Sequence, residues 1–297
     1  MATFGLWYFR WDGERNVSSL GNAEDEFGGF FDYAVALPAR RKVGDGVVEL
    51  TQYTGDGFLD GKKFAEDVFS IIDRIQVYIA IPYWKYNTAL PRDTPAGTRG
   101  YWVEWIRGVI SIAPSNLKGF YWSLESAWML HDNLINANIL KQLSNFIHLN
   151  GLKFIWIPYA RTRERDNTDI HQIYGEHWFN YIFVQPNYYF SPTINSAQGE
   201  VPYTYDELED YVDWILEGQL YIAMEADEGV ITGCGNCRKC TLNSPELCKK
   251  IAGDYIRAQK DVMGKKFYHR AYYFGTSLTV ISEMNRYCKN TLGENYV

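Results

Sequence analysis

The chain has 297 residues, 46% of them hydrophobic, and a formal net charge of −7. That composition supplies a large core, while length alone leaves open one domain or two. The acidic balance and the lack of a long basic run exclude a typical nucleic-acid binder, and no apolar stretch reaches the roughly 18 residues that suggest a membrane span.

The N-terminus, "MATFGLWYFRW", has neither a basic leader nor a small-residue cleavage site, so it reads as a first strand and a cytoplasmic location is expected. Strand-length apolar runs then recur along the chain: "TFGLWYF" (3–9), "DYAVALPA" (32–39), "IQVYIAIPYW" (75–84) and "LKGFYWSLE" (117–125). "LKFIWIPYA" (152–160), "NYIFVQPNYYF" (180–190), "LYIAMEAD" (220–227) and "KFYHRAYYF" (266–274) complete the set. Segments of helical period separate them at 60–73, 99–113, 136–149, 204–217, 244–263 and 276–289. Gly151 stands where a helix should stop, and Thr204 with Glu207 forms a capping box. Residues 40–58 read as a long loop with a hairpin in "RRKVGDGVVELTQY". Eight βα units predict an α/β fold of the (β/α)8 TIM type, a single domain over 1–297 with a Cys-rich insertion at 228–248 after strand seven. A doubly wound open sheet is the structural alternative.

Alternation along each strand predicts which side chains enter the barrel. In strand four, Phe120, Trp122 and Leu124 form one set and Gly119, Tyr121, Ser123 and Glu125 the other. In strand seven, Leu220, Ile222 and Met224 oppose Tyr221, Ala223, Glu225 and Asp227; in strand six, Ile182 and Val184 oppose Phe183, Gln185 and Asn187. The aliphatic sets should face the helices. Glu125, Gln185, Asn187, Glu225 and Asp227 then gather at C-terminal strand ends, where barrels of this type keep their active sites.

Two carboxyl groups on strands four and seven can flank one bond, and glycosidic cleavage needs such a pair. In this respect the chain resembles the large clan of retaining glycoside hydrolases built on the same barrel. The resemblance implies Glu125 as acid/base and Glu225 as nucleophile in a double displacement on an oligosaccharide or polysaccharide. Leu124 departs from the Asn that the clan commonly places before the first of these residues, and Asn187 is a stand-in for its contact to the sugar. The segments "IPYW", "FYWSLES", "FVQPNYYF" and "MEAD" also resemble domain of unknown function family 4855, which implies a barrel of glycosidase type. Acidic residues at strand ends are also common as solvated loop residues or ion-pair partners, and Asp227 competes for the strand-seven role.

The chain carries 10 Trp, 23 Tyr and 16 Phe. Trp7, Trp84, Tyr159, Tyr188 and Tyr272 fall near strand ends and are candidate stacking surfaces for sugar rings, with ordinary packing as the alternative for each. Arg161, after strand five, could hold an anionic sugar or neutralise one of the glutamates.

"CGNCRKCTLNSPELC" groups Cys234, Cys237, Cys240 and Cys248. Four thiolates at that spacing suit a structural zinc ion, with disulfides or an iron–sulfur cluster as alternatives. No cofactor is expected for catalysis itself. His171, Glu176 and His177 do not match the H-E-x-x-H pattern, and no phosphate-cradling loop or nucleophile elbow is present. Two rival functions stand beside the hydrolase: a carbohydrate-binding or scaffold barrel without catalysis, and a redox or metal enzyme using the cysteines. The oligomeric state is not legible in the sequence.

Overall fold

The computed structural model describes residues 1–38, 40–43, 46–49, 54–82, 100–160, 168–196, 199–233 and 244–297. In chain order its elements are β1 (Ala2–Trp11), β2 (Asn16–Ser18), α1 (Glu24–Gly28), β3 (Tyr33–Pro38), β4 (Arg40–Val43), β5 (Gly46–Glu49), α2 (Gly57–Phe69) and β6 (Gln76–Ile81). Next come α3 (Tyr101–Ser111), β7 (Leu117–Trp122), α4 (Ala137–Leu149), β8 (Lys153–Trp156), α5 (Ile170–Gly175) and β9 (Tyr181–Val184). After these follow β10 (Thr193–Ser196), β11 (Gly199–Pro202), α6 (Tyr205–Glu217), β12 (Tyr221–Glu225), α7 (Gly229–Thr232), α8 (Pro245–Met263), β13 (His269–Tyr273) and α9 (Thr279–Leu292).

Parallel pairing runs β1–β3–β6–β7–β8–β9–β12–β13 and returns to β1, so eight strands close into a barrel. Closure removes the free edges that an open sheet would expose, and the open-sheet alternative falls. The short β2 adds antiparallel to the far end of β1, and β4 with β5 forms the hairpin expected near residue 40.

Local chemistry sets the helix ends. Asp56, Asn136, Thr204 and Ser244 each accept a backbone N–H of the helix they precede. Gly151 follows α4 with φ of 72°, a left-handed value that glycine adopts without strain.

The inward set on the strands includes Phe4, Leu6, Val35, Tyr78, Tyr121, Ile155, Phe183, Ala223 and Ala271. The outward set, Trp7, Phe120, Trp122, Trp156, Ile182, Ile222 and Met224 among it, packs beneath the helices. Strand parity therefore reads correctly on strands four, six and seven. At the N-terminal end, Phe4 stacks on Tyr33 with ring centroids 4.7 Å apart and meets Phe183 at 4.8 Å, while Tyr181, Tyr221 and His269 crowd beside them. The bottom of the lumen is thus filled with rings.

Helices α2 and α3 touch backbone to backbone. A Cβ added at Gly61 would lie 2.3 Å from the Trp105 carbonyl oxygen, and one at Gly108 only 2.1 Å from that of Phe58. Helix propensity alone favours Ala over Gly by about 1 kcal/mol. Overpacking against fixed backbone costs about 1–3 kcal/mol and reverses that sign. Gly108→Ala is expected to lower stability in urea titration, whereas a gain would show that the helices separate freely.

Candidate functional site

Past the last regular residues of the strands, the sheet continues irregularly at the C-terminal mouth. Bridges link Ser126 to Tyr159 and Tyr159 to Gln185, and the Tyr159 N–H donates to the Glu125 carbonyl at 2.6 Å. The Trp156 indole donates to the Leu124 carbonyl at 2.7 Å, and the Ser123 hydroxyl to that of Ile81 at 2.6 Å. These bonds carry strand alternation beyond β7, so Glu125 keeps the inward phase of Tyr121.

Glu125 and Glu225 both line one cavity of about 280 Å³, together with Leu6, Tyr8, Ile157, Gln185, Phe190, Ala223 and Tyr273. Its size is close to the lower end of ligand sites, about 300 Å³. Apolar side chains form part of the wall and aromatic rings another part: Tyr273 meets Tyr8 edge-on at 6.2 Å and Phe190 at 5.3 Å.

The two carboxyl groups have different surroundings. Glu125 is exposed and accepts the Tyr121 phenol at 3.0 Å. Glu225 is only 1% exposed. Its Oε1 accepts the Asn187 N–H at 3.1 Å and its Oε2 the Tyr255 phenol. Burial pushes the Glu225 carboxyl up to about 8; the hydrogen bonds from Tyr255 and Asn187 oppose that rise, and the charge of Glu125 adds to it. Burial also raises the Tyr8 and Tyr121 phenols well above their ordinary value, with Glu125 adding to both. Both therefore keep their protons at neutral pH.

Gln185 lines the cavity as expected, its amide donating to the Ile157 carbonyl at 2.8 Å. Asn187 acts through its backbone: at φ of 56° it turns its N–H onto Glu225. Tyr159 is half-buried and its main chain joins the two strand ends, but its side chain is not part of the cavity wall.

Four candidates are corrected. Trp7 is fully buried on the helix side of β1, where its indole donates to the Ser18 hydroxyl at 2.8 Å; the inward residue beside it is Tyr8. Tyr272 also faces the helix layer and bonds the Tyr296 carbonyl at 3.1 Å, leaving Tyr273 on the cavity. Tyr188 is buried with its phenol on Asp254 at 3.2 Å, and Phe190 takes the wall position. Asp227 is fully buried, accepting the Tyr189 phenol at 2.8 Å and the Gly229 N–H at 2.9 Å, because the chain turns into α7 directly after β12. Simple counting of strand phase finds Tyr8 and Tyr273; Tyr255, on a helix, leaves no such signal.

Trp84, Arg161, Cys234, Cys237 and Cys240 lie outside the described residues. Cys248 is buried at the start of α8 and held in a disulfide, while Cys288 is a free buried thiol. Among the described residues no group of three or more His, Cys, Asp or Glu could hold a metal ion, and no helix is long and apolar enough to cross a membrane.

A family model described as domain of unknown function DUF4855 matches residues 113–201, the segment from the end of α3 to β11 that contains Glu125 and Gln185. An uncharacterised protein of Methanocaldococcus jannaschii is 29% identical over 341 aligned positions, covering 97% of this chain and 93% of its own. Among solved structures, a class V chitinase mutant from Cycas revoluta in complex with (GlcNAc)3 superposes with a TM-score of 0.51 at 8% identity, covering 99% of this chain and all (100%) of its own. YKL-39 in the presence of chitooligosaccharides superposes at 0.52 with 9% identity, covering 100% of this chain and 96% of its own. At such identities the likeness shows the barrel fold.

Two outcomes follow from the burial pattern. Asp227→Ala strands the Tyr189 phenol and the Gly229 N–H in the interior, at a cost of about 1–3 kcal/mol in urea titration. The folded protein also binds a proton at Glu225 that the unfolded chain, with a glutamate value of about 4.3, has already released. Stability should therefore fall as pH rises from about 4.3 towards about 8. Glu225→Gln should remove that slope when unfolding is measured across the range.

Proposed function

We propose that this chain is a glycoside hydrolase, cleaving a glycosidic bond between Glu125 and Glu225 at the C-terminal mouth of the barrel. The observation that carries the reading is that carboxyl groups from the fourth and seventh barrel strands line one cavity. The aromatic and apolar wall suits the C–H faces of a sugar ring, and the carboxylates and the Gln185 amide suit its hydroxyls. The similar barrels bound to (GlcNAc)3 or described with chitooligosaccharides support a glycan ligand here.

In the proposed double displacement, the Glu225 carboxylate attacks the anomeric carbon while Glu125 protonates the leaving oxygen. Glu125 then draws a proton from the incoming water, whose oxygen bonds to the anomeric carbon and displaces the Glu225 carboxylate, giving net retention. The position of Glu125 on the open side of the cavity gives it access to both leaving group and water. The position of Glu225, clamped through both oxygens, fixes the nucleophile's approach.

Hydrolysis of a glycan panel tests the reading. Glu125→Gln and Glu225→Gln are each expected to lower turnover by at least about 100-fold, the scale of a lost acid–base group. Equal activity in all three proteins removes the assignment, and glycan binding that survives both changes without turnover identifies a binding barrel. Turnover needs one of the two carboxyl groups ionised and the other protonated, so kcat/KM should be bell-shaped with pH, with the limb that Glu225 governs near about 8.

A further inference from the structure

The geometry points to Tyr255 as the positioning residue of the seventh-strand carboxyl group: a phenol on α8 whose one proton is committed to Glu225. This rests on the hydrolase reading for its consequence in turnover, though not for the interaction itself. Tyr255 is fully buried in the long helix α8, after β12 in the chain, and its hydroxyl reaches back to Oε2 of Glu225. The same hydroxyl accepts the Tyr189 N–H at 3.1 Å. A backbone N–H can only donate, so the bond from Tyr189 orients the phenol with its proton towards the carboxylate.

The opposite oxygen is fixed in the same manner by the Asn187 N–H at 3.1 Å. Residues 187 and 189 follow β9 in one turn, and Asn187 holds a left-handed φ of 56° to aim its N–H. One loop therefore grips Glu225 twice, directly through Asn187 and indirectly through Tyr255. The helix is itself pinned where the Gln259 amide donates to the Tyr255 carbonyl at 2.7 Å and its oxygen accepts the Phe267 N–H at 3.0 Å. Rigid support on both sides of a carboxylate is what an in-line attack needs.

The groups facing this carboxyl can be named from each neighbouring segment. Glu125 acts on it from beyond β7, Tyr255 from α8 and Tyr296 from the C-terminal segment, while Tyr203 acts on Tyr255 from the segment before α6. Glu125 raises the proton affinity of Glu225; the Tyr255 hydrogen bond lowers it. Removing the phenol proton leaves desolvation less opposed, so the carboxyl should hold its own proton to higher pH.

The test is Tyr255→Phe, with the carboxyl titration followed by the protonated C=O stretch in infrared difference spectra and assigned through Glu225→Gln. The midpoint is expected to rise by about one pH unit or more, the scale of a lost hydrogen bond to a charged group. On an active glycan the limb of kcat/KM that Glu225 governs should move by the same amount, with kcat falling at least about ten-fold and KM little changed. Site-specific 3-fluorotyrosine at 255 guards against a variant that fails to fold: it keeps the shape, strengthens the donor and should lower the midpoint. An unchanged midpoint in the fluorotyrosine protein, or in a folded Tyr255→Phe, overturns the proposal. If no glycan is turned over, the infrared titration still decides the role of Tyr255, and the hydrolase reading fails separately.

Discussion

Alternation of side chains along a closed parallel barrel is the constraint on which the rest of this molecule depends. Every strand has a neighbour on both sides, so its register is fixed twice and a slip of one residue would turn its apolar set out of the core. The phase persists where the regular strands stop. β7 ends at Trp122, yet the bonds from Ser123, Leu124 and Glu125 to neighbouring strands hold the next three residues in extended order. Glu125 consequently inherits the inward direction of Tyr121, and Glu225 that of Ala223. Two residues separated by 100 positions in sequence reach one cavity because two strands keep count.

The same geometry makes the two carboxyl groups unequal. Glu225 is the last residue of its strand and lies under the turn that follows β9, walled in by α8. Desolvation penalises its charge, and the hydrogen bonds from Asn187 and Tyr255 recover only part of that loss. Glu125 lies farther past its strand, where water reaches it and a phenol meets one oxygen. Burial keeps that phenol protonated, so Tyr121 remains a donor. One barrel mouth thus offers a shielded carboxyl and an open one, the asymmetry on which acid–base division of labour rests.

How much of this was legible in the sequence follows from the kind of signal each part leaves. Periodicity located all eight barrel strands and the six longer helices, because burying one face repeats at fixed spacing. Phase located Glu125, Gln185 and Glu225. It would also have rejected Trp7 and Tyr272, since Phe4–Leu6–Tyr8 and Ala271–Tyr273 are the inward sets; proximity to a strand end alone did not. Asp227 shares the phase of Glu225 but stands after the strand has ended, where the turn into α7 dictates direction and the side chain closes on Tyr189 and Gly229. Tyr255 was out of reach for another reason. It arrives from a helix by tertiary contact, and helical periodicity marks it only as buried.

The abundance of aromatic residues finds its explanation in two places, only one of them the cavity. Rings around Phe4, Tyr33, Tyr181, Phe183, Tyr221 and His269 fill the N-terminal half of the lumen, and Trp7, Trp105, Trp122 and Trp156 fill the layer beneath the helices. Only Tyr8, Phe190 and Tyr273 among the described aromatics reach the cavity wall. Filling the lower lumen has a consequence for the upper. A barrel this narrow has room for side chains or for one small ligand, and with the bottom closed by rings the remaining space is confined to the mouth. Both carboxyl groups line the space that remains.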